Sequence, residues 1–148
     1  MTRTGADYIR SVQDGRSIYL DGQLIENAAK HPAFRNALAT VARLYDFQAA
    51  SENADLMTIP SPTSGGRVNR CWQLPRSHAD LVQRREAITA WAELTFGFMG
   101  RSPDHVASSL SGMAMGIDVF QRHGEDRAKA LMDYFTYVRD NDLFVTYV

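Results

Sequence analysis

The chain has 148 residues, which is enough for one domain with a sizeable core. It is 45% hydrophobic and 22% charged, as expected for a globular protein, and its formal net charge of -1 does not favour nucleic acid or an anionic membrane as a partner. Cys71 is the single cysteine, which excludes an internal disulfide and a cysteine-rich metal site.

The N-terminal segment predicts a short helix and then a β-hairpin. Thr4 can cap the helix, and Asp7 supplies the acidic half of a capping box. The helix ends at Asp14-Gly15. The pair Asp21-Gly22 lies between two short apolar runs, which is a strong signal for a hairpin over residues 17–25. The segment lacks the apolar core of a signal peptide, so we expect a cytoplasmic protein.

The middle of the chain predicts a helix followed by a second small β feature. Apolar residues recur at helical spacing over residues 32–47, and a proline lies near the first turn, where its missing N–H costs nothing. Short strands are predicted over residues 56–59 and 67–74, on either side of a turn rich in proline, serine and glycine. Arg70 interrupts the apolar face of the second strand.

Further helices follow. Ser77 and Asp80 match the capping-box pattern and start the longest helix, which stops near Gly100. Ser102-Pro103-Asp104 starts the next helix, with serine as its cap, and the last helix spans residues 125–139. The predicted fold is therefore mainly α, with two small β-hairpin features. The apolar stripe of the longest helix consists of Leu81, Ile88, Trp91, Ala92, Thr95 and Phe98, whereas Arg84 and Arg85 form a solvated edge.

Residues 143–148 form an apolar, β-prone run without a polar tail. A free end of this kind would be an exposed, sticky edge. One interpretation is a final strand packed into the core, and the other is that the chain is the front part of a longer polypeptide. No run in the chain reaches the roughly 20 apolar residues that a membrane span needs, so a membrane partner is not expected.

Residues 96–105 are the most informative stretch for function. An aromatic run ends at a glycine, and a cation, a helix start and an imidazole follow. Arg101 is either a solvated arginine at a helix junction or an anchor for an anion or phenolate, because a guanidinium keeps its proton near neutral pH. His105 is either a structural histidine or a hydrogen-bonding partner for a substrate oxygen.

Other chemistries find little support in the sequence. The remaining histidines, His31, His78 and His123, show no metal-ligand spacing, so no metal site is predicted. The glycines form no P-loop or dinucleotide-binding pattern. No G-x-S-x-G elbow marks a nucleophilic serine.

Several stretches stand out together and in a fixed order. They are Thr4-Gly5-Ala6-Asp7-Tyr8-Ile9, Asp14-Gly15-Arg16, His31-Pro32-Ala33-Phe34-Arg35-Asn36, Leu44-Tyr45-Asp46, Arg84-Arg85-Glu86-Ala87 and Phe98-Met99-Gly100-Arg101-Ser102-Pro103-Asp104. This series resembles the N-terminal region of the 4-hydroxyphenylacetate 3-monooxygenase oxygenase family, and it covers nearly the whole chain. The family comprises the large components of two-component, reduced-flavin-dependent aromatic hydroxylases.

The resemblance implies an acyl-CoA-dehydrogenase-like subunit, commonly part of a tetramer. In such a subunit a helical N-terminal domain precedes a middle β domain and a C-terminal helix bundle, and residues 1–148 match only the first domain. The resemblance also implies that a separate flavin reductase supplies reduced FAD, and that a C4a-hydroperoxyflavin hydroxylates a phenol ortho to its hydroxyl group. Most of the FAD site would lie outside the chain, so the chain alone is expected to be inactive. The family's dehydratase branch carries an iron–sulfur cluster, and Cys71, as a single cysteine, cannot supply the ligands for it.

The resemblance also suggests site residues. Arg101 matches the family's active-site arginine, whereas His105 stands where the family has a tyrosine and Tyr147 where it has a histidine. These three residues are the predicted catalytic groups. Residues Arg101, Ser102, Pro103, Asp104 and His105 are predicted to bind the substrate, and Tyr147 and Val148 to contact the cofactor.

Three interpretations stay open at this point. The chain is either part of this oxygenase or a non-catalytic helical module for interaction or oligomerisation that derives from the same fold. A third possibility is a flavin enzyme of the wider fold that performs desaturation or dehalogenation, since no residue in the chain separates these reactions.

Overall fold

The computed structural model of the chain describes residues 2–99 and 102–146. It is mainly helical with two antiparallel two-stranded sheets, as predicted. No helix in this described part combines the length and the apolar character of a membrane span. The elements are α1 (Gly5–Ser11), β1 (Ile18–Leu20), β2 (Gln23–Ile25), α2 (Arg35–Ala49), α3 (Ala54–Met57), β3 (Thr58–Pro60), β4 (Arg67–Asn69), α4 (His78–Leu94), α5 (Asp104–Met115), α6 (Ile117–Gln121) and α7 (Glu125–Asp140), with short 3-10 helices at Ser51–Asn53 and Arg70–Trp72.

Local signals place the first elements as predicted. Thr4 and Asp7 form a complete capping box at the start of α1. Asp21 and Gly22 have φ angles of 51° and 77°, the positive values that a tight two-residue hairpin turn requires. β1 and β2 pair on either side of this turn. The hairpin prediction is therefore confirmed.

α2 begins later than predicted. Residues 31–34 form a turn before the helix, in which the carbonyl of His31 accepts the N–H groups of Phe34 (3.0 Å) and Arg35 (2.9 Å). The side chain of His31 also accepts the N–H of Ala33 at 3.2 Å. The helix therefore starts at Arg35.

β4 is shorter than predicted because two polar side chains redirect the chain. The side-chain oxygen of Asn69 accepts the N–H of Cys71 at 2.8 Å and starts the 3-10 helix. Arg70 is buried and donates to the carbonyls of Asp55 (2.6 Å) and Leu56 (2.7 Å) in α3. It therefore satisfies carbonyls at a helix end, where no intrahelical partner exists. The prediction that Arg70 interrupts the face of a longer strand is wrong.

The hydrophobic core is built from α2, α4, α5, α7 and the 3-10 helix after β4. Trp72 of that 3-10 helix packs edge to face on Phe135 of α7, with 5.9 Å between the ring centroids. Trp91 of α4 is buried and donates its indole N–H to the carbonyl of Leu44 at 3.2 Å. The stripe predicted for α7 is confirmed, with Ala128, Phe135 and Val138 buried and Leu131 and Met132 packed against the core.

The stripe predicted for α4 is only partly right. Trp91 is buried and Ile88 and Thr95 are half-buried, but Ala92 is exposed and Leu81 is 53% exposed. The helix ends at Leu94, well before the predicted stop, and Phe98 beyond it is 92% exposed. The core-facing side of α4 is therefore narrower and shorter than its pattern of apolar residues suggests.

Replacing Ser111 with alanine should stabilise the chain. The Ser111 hydroxyl on α5 is buried, and the described residues offer it no hydrogen-bond partner. An unpaired buried hydroxyl costs on the order of 1–3 kcal/mol, so Ser111→Ala should raise the free energy of unfolding by about 1 kcal/mol in urea titrations. Ser108→Ala is the matched control on the same helix, because its hydroxyl bonds to Arg84 and Asp104 and its loss should destabilise. A lower stability for Ser111→Ala would contradict this expectation.

Candidate functional site

The predicted site residues belong to two segments, one that leads into the first turn of α5 and one that follows α7. Arg101, Tyr147 and Val148 lie outside the described residues, so their placement stays a prediction. The structure brings together Ser102, Pro103, Asp104 and His105 at the start of α5, where Pro103 is buried and the other three are half-buried.

The segment after α4 is a hinge with exposed aromatic side chains. The N–H groups of Phe96 and Gly97 donate to the carbonyls of Glu93 (3.1 Å) and Ala92 (2.9 Å), a pattern that ends helices with a left-handed residue. Phe96 takes that left-handed position, with φ of 51°, although glycine is the usual residue there. Phe96 and Phe98 are 85% and 92% exposed. Strain of this kind concentrates at functional sites.

The start of α5 is fixed by hydrogen bonds among the predicted substrate-binding residues. The Ser102 carbonyl accepts the N–H of His105 at 3.0 Å, and the Ser102 hydroxyl donates to the Asp104 carboxylate. Pro103 occupies the cap position, where it makes no side-chain bond, so the predicted serine cap is wrong by one residue. Asp104 still supplies the predicted negative charge in the first turn, where the helix dipole favours it.

Arg84 holds this part of α5 in place, which the sequence did not reveal. Its guanidinium donates to the carbonyl of Cys71 (2.8 and 3.1 Å) and to the hydroxyl of Ser108 (2.8 Å). The Ser108 hydroxyl in turn donates to the Asp104 carbonyl at 2.7 Å. One side chain therefore ties α4, the 3-10 helix and the first turns of α5 together. The interpretation of Arg84 as a solvated edge is wrong, because the side chain bonds to two other segments. This role is not apparent from the sequence, because a carbonyl acceptor on a distant segment leaves no signal in it.

The segment after α7 starts from a turn similar to the one after α4. Asp142 has φ of 50°, its N–H donates to the Arg139 carbonyl at 3.1 Å, and the N–H of Leu143 donates to the Val138 carbonyl at 3.0 Å. These two bonds are those of a Schellman ending, again with a residue other than glycine in the left-handed position. Residues 143–146 then run on without forming a strand, contrary to the interpretation of a final strand.

Asp142 is also the centre of a buried polar network. Its carboxylate accepts the backbone N–H of Arg3 at 2.9 Å and the side-chain amide of Gln48, and its carbonyl accepts the hydroxyl of Tyr45 at 2.9 Å. Gln48 also accepts the amide of Asn69. The network therefore joins the N-terminal segment, α2, β4 and the end of α7.

Burial governs the ionisation of this network. It raises the pKa of the Asp142 carboxyl to about 6, although the N–H of Arg3 and the amide of Gln48 oppose the shift. Burial also raises the pKa of the Tyr45 hydroxyl, and the Asp142 carboxylate adds to that effect. The carboxyl that holds the C-terminal segment therefore changes its charge in a mildly acidic pH range.

A cleft of about 1070 Å³ lies beside residues 143–146. Phe144 and Thr146 line it together with Tyr8 of α1, Arg16 and Tyr137 of α7. Leu143 and Val145 line it too, and they also pack against the hydrophobic core. The C-terminal segment therefore forms a wall between the core and this cleft.

The cleft beside residues 143–146 does not by itself form a flavin site. The pyrophosphate of FAD needs cations or exposed N–H groups, and the two arginines of the cleft are engaged. Arg16 pairs with Asp14 and lowers the pKa of that carboxyl to about 2. Arg3 donates to the carbonyl of Asp7 (3.3 Å) and to the hydroxyl of Ser11. The described residues contain no group of three or more histidine, cysteine or acidic side chains suited to a metal.

Comparison with known proteins gives a consistent result. Residues 4–148 match the family described as 4-hydroxyphenylacetate 3-hydroxylase N terminal. The chain is 36% identical over 142 residues to the 4-hydroxyphenylacetate 3-monooxygenase oxygenase component of Klebsiella oxytoca. It is 38% identical over 132 residues to the oxygenase component of 4-nitrophenol 2-monooxygenase from Rhodococcus sp. These matches cover 95% and 88% of this chain but only 26% and 25% of the relatives, so the chain spans about a quarter of their length.

The structure shows the same likeness. It is similar to the crystal structure of the oxygenase component of 4-hydroxyphenylacetate 3-monooxygenase complexed with FAD and 4-hydroxyphenylacetate, with a TM-score of 0.86 and 33% sequence identity. The match covers 96% of this chain and 29% of that one. The predicted helical N-terminal domain of an acyl-CoA-dehydrogenase-like fold is thereby confirmed.

The stability of the chain should depend on pH through Asp142. Its carboxyl has a pKa of about 6 when folded, against an ordinary value of 3.8. Between about pH 4 and pH 6 the folded state therefore binds more protons than the unfolded state, so stability falls as the pH rises through this window. We expect the free energy of unfolding to drop by about 2–3 kcal/mol in urea titrations across it.

The variant Asp142→Asn separates this effect from other titrations. It keeps an acceptor oxygen and tolerates the left-handed conformation, but it has no proton to lose. The fall in stability should therefore disappear in this variant. Asp7, Asp14, Asp80 and Asp140 have lowered pKa values, so their stabilising effect is lost only as the pH falls below about 4. If the free energy of unfolding fell equally in the asparagine variant, a group other than Asp142 would be responsible for the fall.

Proposed function

Because the chain belongs to the 4-hydroxyphenylacetate 3-hydroxylase N-terminal family, we propose that it is the N-terminal domain of a monooxygenase that uses reduced FAD to hydroxylate a phenolic or related aromatic substrate. The observation that carries the proposal is the match over residues 4–148, which includes the motif at the start of α5. In this proposal the full protein is a cytoplasmic homo-oligomer, and a separate flavin reductase supplies the reduced FAD. A middle β domain and a C-terminal helix bundle of the same polypeptide supply most of the flavin site.

Arg101 anchors the oxygen of the substrate in this proposal. A guanidinium stays protonated near neutral pH and stabilises a phenolate beside it. A phenolate is more electron-rich at its ortho carbon than the neutral phenol, which favours attack on an electrophilic oxygen at that position. Ser102, Pro103 and Asp104 contribute the neighbouring wall, which Arg84 holds through α5.

His105 and Tyr147 donate hydrogen bonds to the substrate or to the cofactor. The family has a tyrosine and a histidine at these positions, so the pair is exchanged while the site keeps one imidazole, one phenol and one guanidinium. The exchange moves the donors and therefore changes which ring substituents fit. The relatives named above act on 4-hydroxyphenylacetate and on 4-nitrophenol, so a substrate of the phenol class is proposed without a particular substituent. Tyr147 and Val148 lie next to the flavin in this arrangement.

A second candidate function is a helical interaction module without catalysis. The observation that favours it is the exposure of several large apolar side chains among the described residues, since Phe96, Phe98, Met113, Met115 and Val119 are each at least 45% exposed. Large exposed apolar surfaces mark interaction sites. A stop codon directly after the codon for residue 148 would support this module, and an in-frame continuation would support the oxygenase. Product analysis would separate hydroxylation from desaturation or dehalogenation.

Replacing Arg101 should impair hydroxylation by the longer oxygenase. Loss of an oxyanion-stabilising donor typically lowers the rate by about 100- to 1000-fold, and we expect a loss of this size in kcat/KM for Arg101→Ala. The assay supplies reduced FAD and oxygen and quantifies the hydroxylated phenol. Arg127→Ala, which removes an exposed arginine on α7, is the matched control and should behave as wild type. Undiminished hydroxylation by Arg101→Ala would refute the role of an anchor.

The 148-residue chain alone should not bind reduced FAD tightly. The described residues present no free cation to its pyrophosphate in the cleft, and the remaining domains would supply most of the contacts. Anaerobic fluorescence titration of the chain with reduced FAD should therefore show no saturation in the micromolar range. Saturable micromolar binding would mean that this domain carries more of the flavin site than we propose.

A further inference from the structure

Asp142 occupies a position where glycine is the usual residue. It follows α7 with φ of 50° and completes a Schellman ending, which glycine forms at no steric cost. Its carboxyl is buried, with an exposed fraction of only 4% for the residue. Both the conformation and the burial of a carboxyl are unfavourable in themselves. The side chain must therefore do something that the turn itself does not need.

The contacts of the side chain show what it does. One carboxylate oxygen accepts both the N–H of Arg3 at 2.9 Å and the amide of Gln48. Arg3 also brings its guanidinium to 3.5 Å from the Asp142 carbonyl, and that guanidinium lies over the ring of Tyr45, 5.4 Å from its centroid. The groups around Asp142 thus come from the N-terminal segment and from α2, and they meet at the residue from which residues 143–146 begin.

The segment that leaves this turn is the one that leads to Tyr147. Residues 143–146 all line the cleft, and Leu143 and Val145 also pack against the core, so the direction of the segment depends on how the turn is anchored. The backbone of the turn is bonded to α7, and the Asp142 carbonyl accepts the Tyr45 hydroxyl of α2 at 2.9 Å. The carboxylate adds the bonds to the backbone N–H of Arg3 and to the side chain of Gln48, which glycine at this position would lose.

We propose that Asp142 is a positioning residue, whose carboxylate sets the path of residues 143–146 and through them the placement of Tyr147. The proposed ordering of residues 143–146 rests on the contacts of the carboxylate and does not need the proposed function. The link to Tyr147 as a hydrogen-bond donor rests on the proposed function.

Two substitutions separate the side chain from the turn. Asp142→Gly keeps the left-handed conformation and relieves its strain, but it removes the acceptor for Arg3 and Gln48. Asp142→Asn keeps one acceptor oxygen in the same place and tolerates the conformation. A purely structural turn would be unharmed by glycine, whereas a positioning carboxylate would be rescued only by asparagine.

Backbone order parameters from NMR relaxation of the 148-residue chain provide the test. Wild type and Asp142→Asn should give values of about 0.85 for residues 143–146, and Asp142→Gly should give values below about 0.6 there, with α7 unchanged. Gln48→Met removes the other partner at similar volume and should loosen the same residues. Asp133→Asn, on the exposed face of α7, is the matched control and should leave them rigid. Values of about 0.85 in Asp142→Gly would overturn the proposal.

Activity of the longer oxygenase then tests the link to Tyr147. Asp142→Gly should lower kcat about tenfold or more at a similar melting temperature, with a smaller change in KM, and Asp142→Asn should restore kcat. Equal kcat values for the glycine variant and wild type would overturn this link. A wild-type oxygenase that hydroxylates no phenol would instead refute the proposed function, while the order parameters would still decide whether Asp142 orders residues 143–146.

Discussion

The buried chain of hydrogen bonds from Asp142 through Gln48 to Asn69 is the constraint on which the rest of the structure depends. It joins the end of α7, α2 and β4, and the N–H of Arg3 adds the start of the chain. Apolar packing tolerates small shifts, but a buried polar network is costly when a partner is missing. These segments, distant in sequence, therefore have one arrangement in which every member is satisfied. That arrangement also determines where the segment after α7 begins.

One buried and one half-buried arginine extend the same principle to other parts of the domain. Arg70 satisfies carbonyls of α3, and Arg84 joins the carbonyl of Cys71 to the hydroxyl of Ser108 on α5. A guanidinium suits this role because it presents several donors in a fixed plane. The helix that starts at the motif of the candidate site is thus held by polar bonds from one side and by apolar packing of Ala107 and Leu110 from the other.

The sequence predicted those features whose cause is local. Capping boxes at Thr4 and Ser77, the Asp21-Gly22 turn and the apolar stripe of α7 all depend on residues a few positions apart, and all are confirmed. The prediction was wrong at β4 and at the end of α4, where Arg70 bonds to a distant carbonyl and Phe96 takes a conformation typical of glycine. In the candidate site, Arg101 and His105 stood out at the helix junction of residues 96–105, and the resemblance gave them their roles and added the role of Tyr147. Asp142 and Arg84 were missed, because their partners are remote in sequence.

The two segments of the candidate site share one construction. Among the described residues, the non-glycine residues with positive φ are Asp21, Phe96 and Asp142, and Asp21 belongs to the hairpin turn. The other two each end a helix, and each precedes a predicted site residue by five positions, Phe96 before Arg101 and Asp142 before Tyr147. Glycine would serve better at both helix ends if stability alone mattered. Phe96 instead presents an aromatic ring to solvent and Asp142 a carboxylate to the buried network, so at both helix ends the left-handed position carries a side chain that the turn itself does not need.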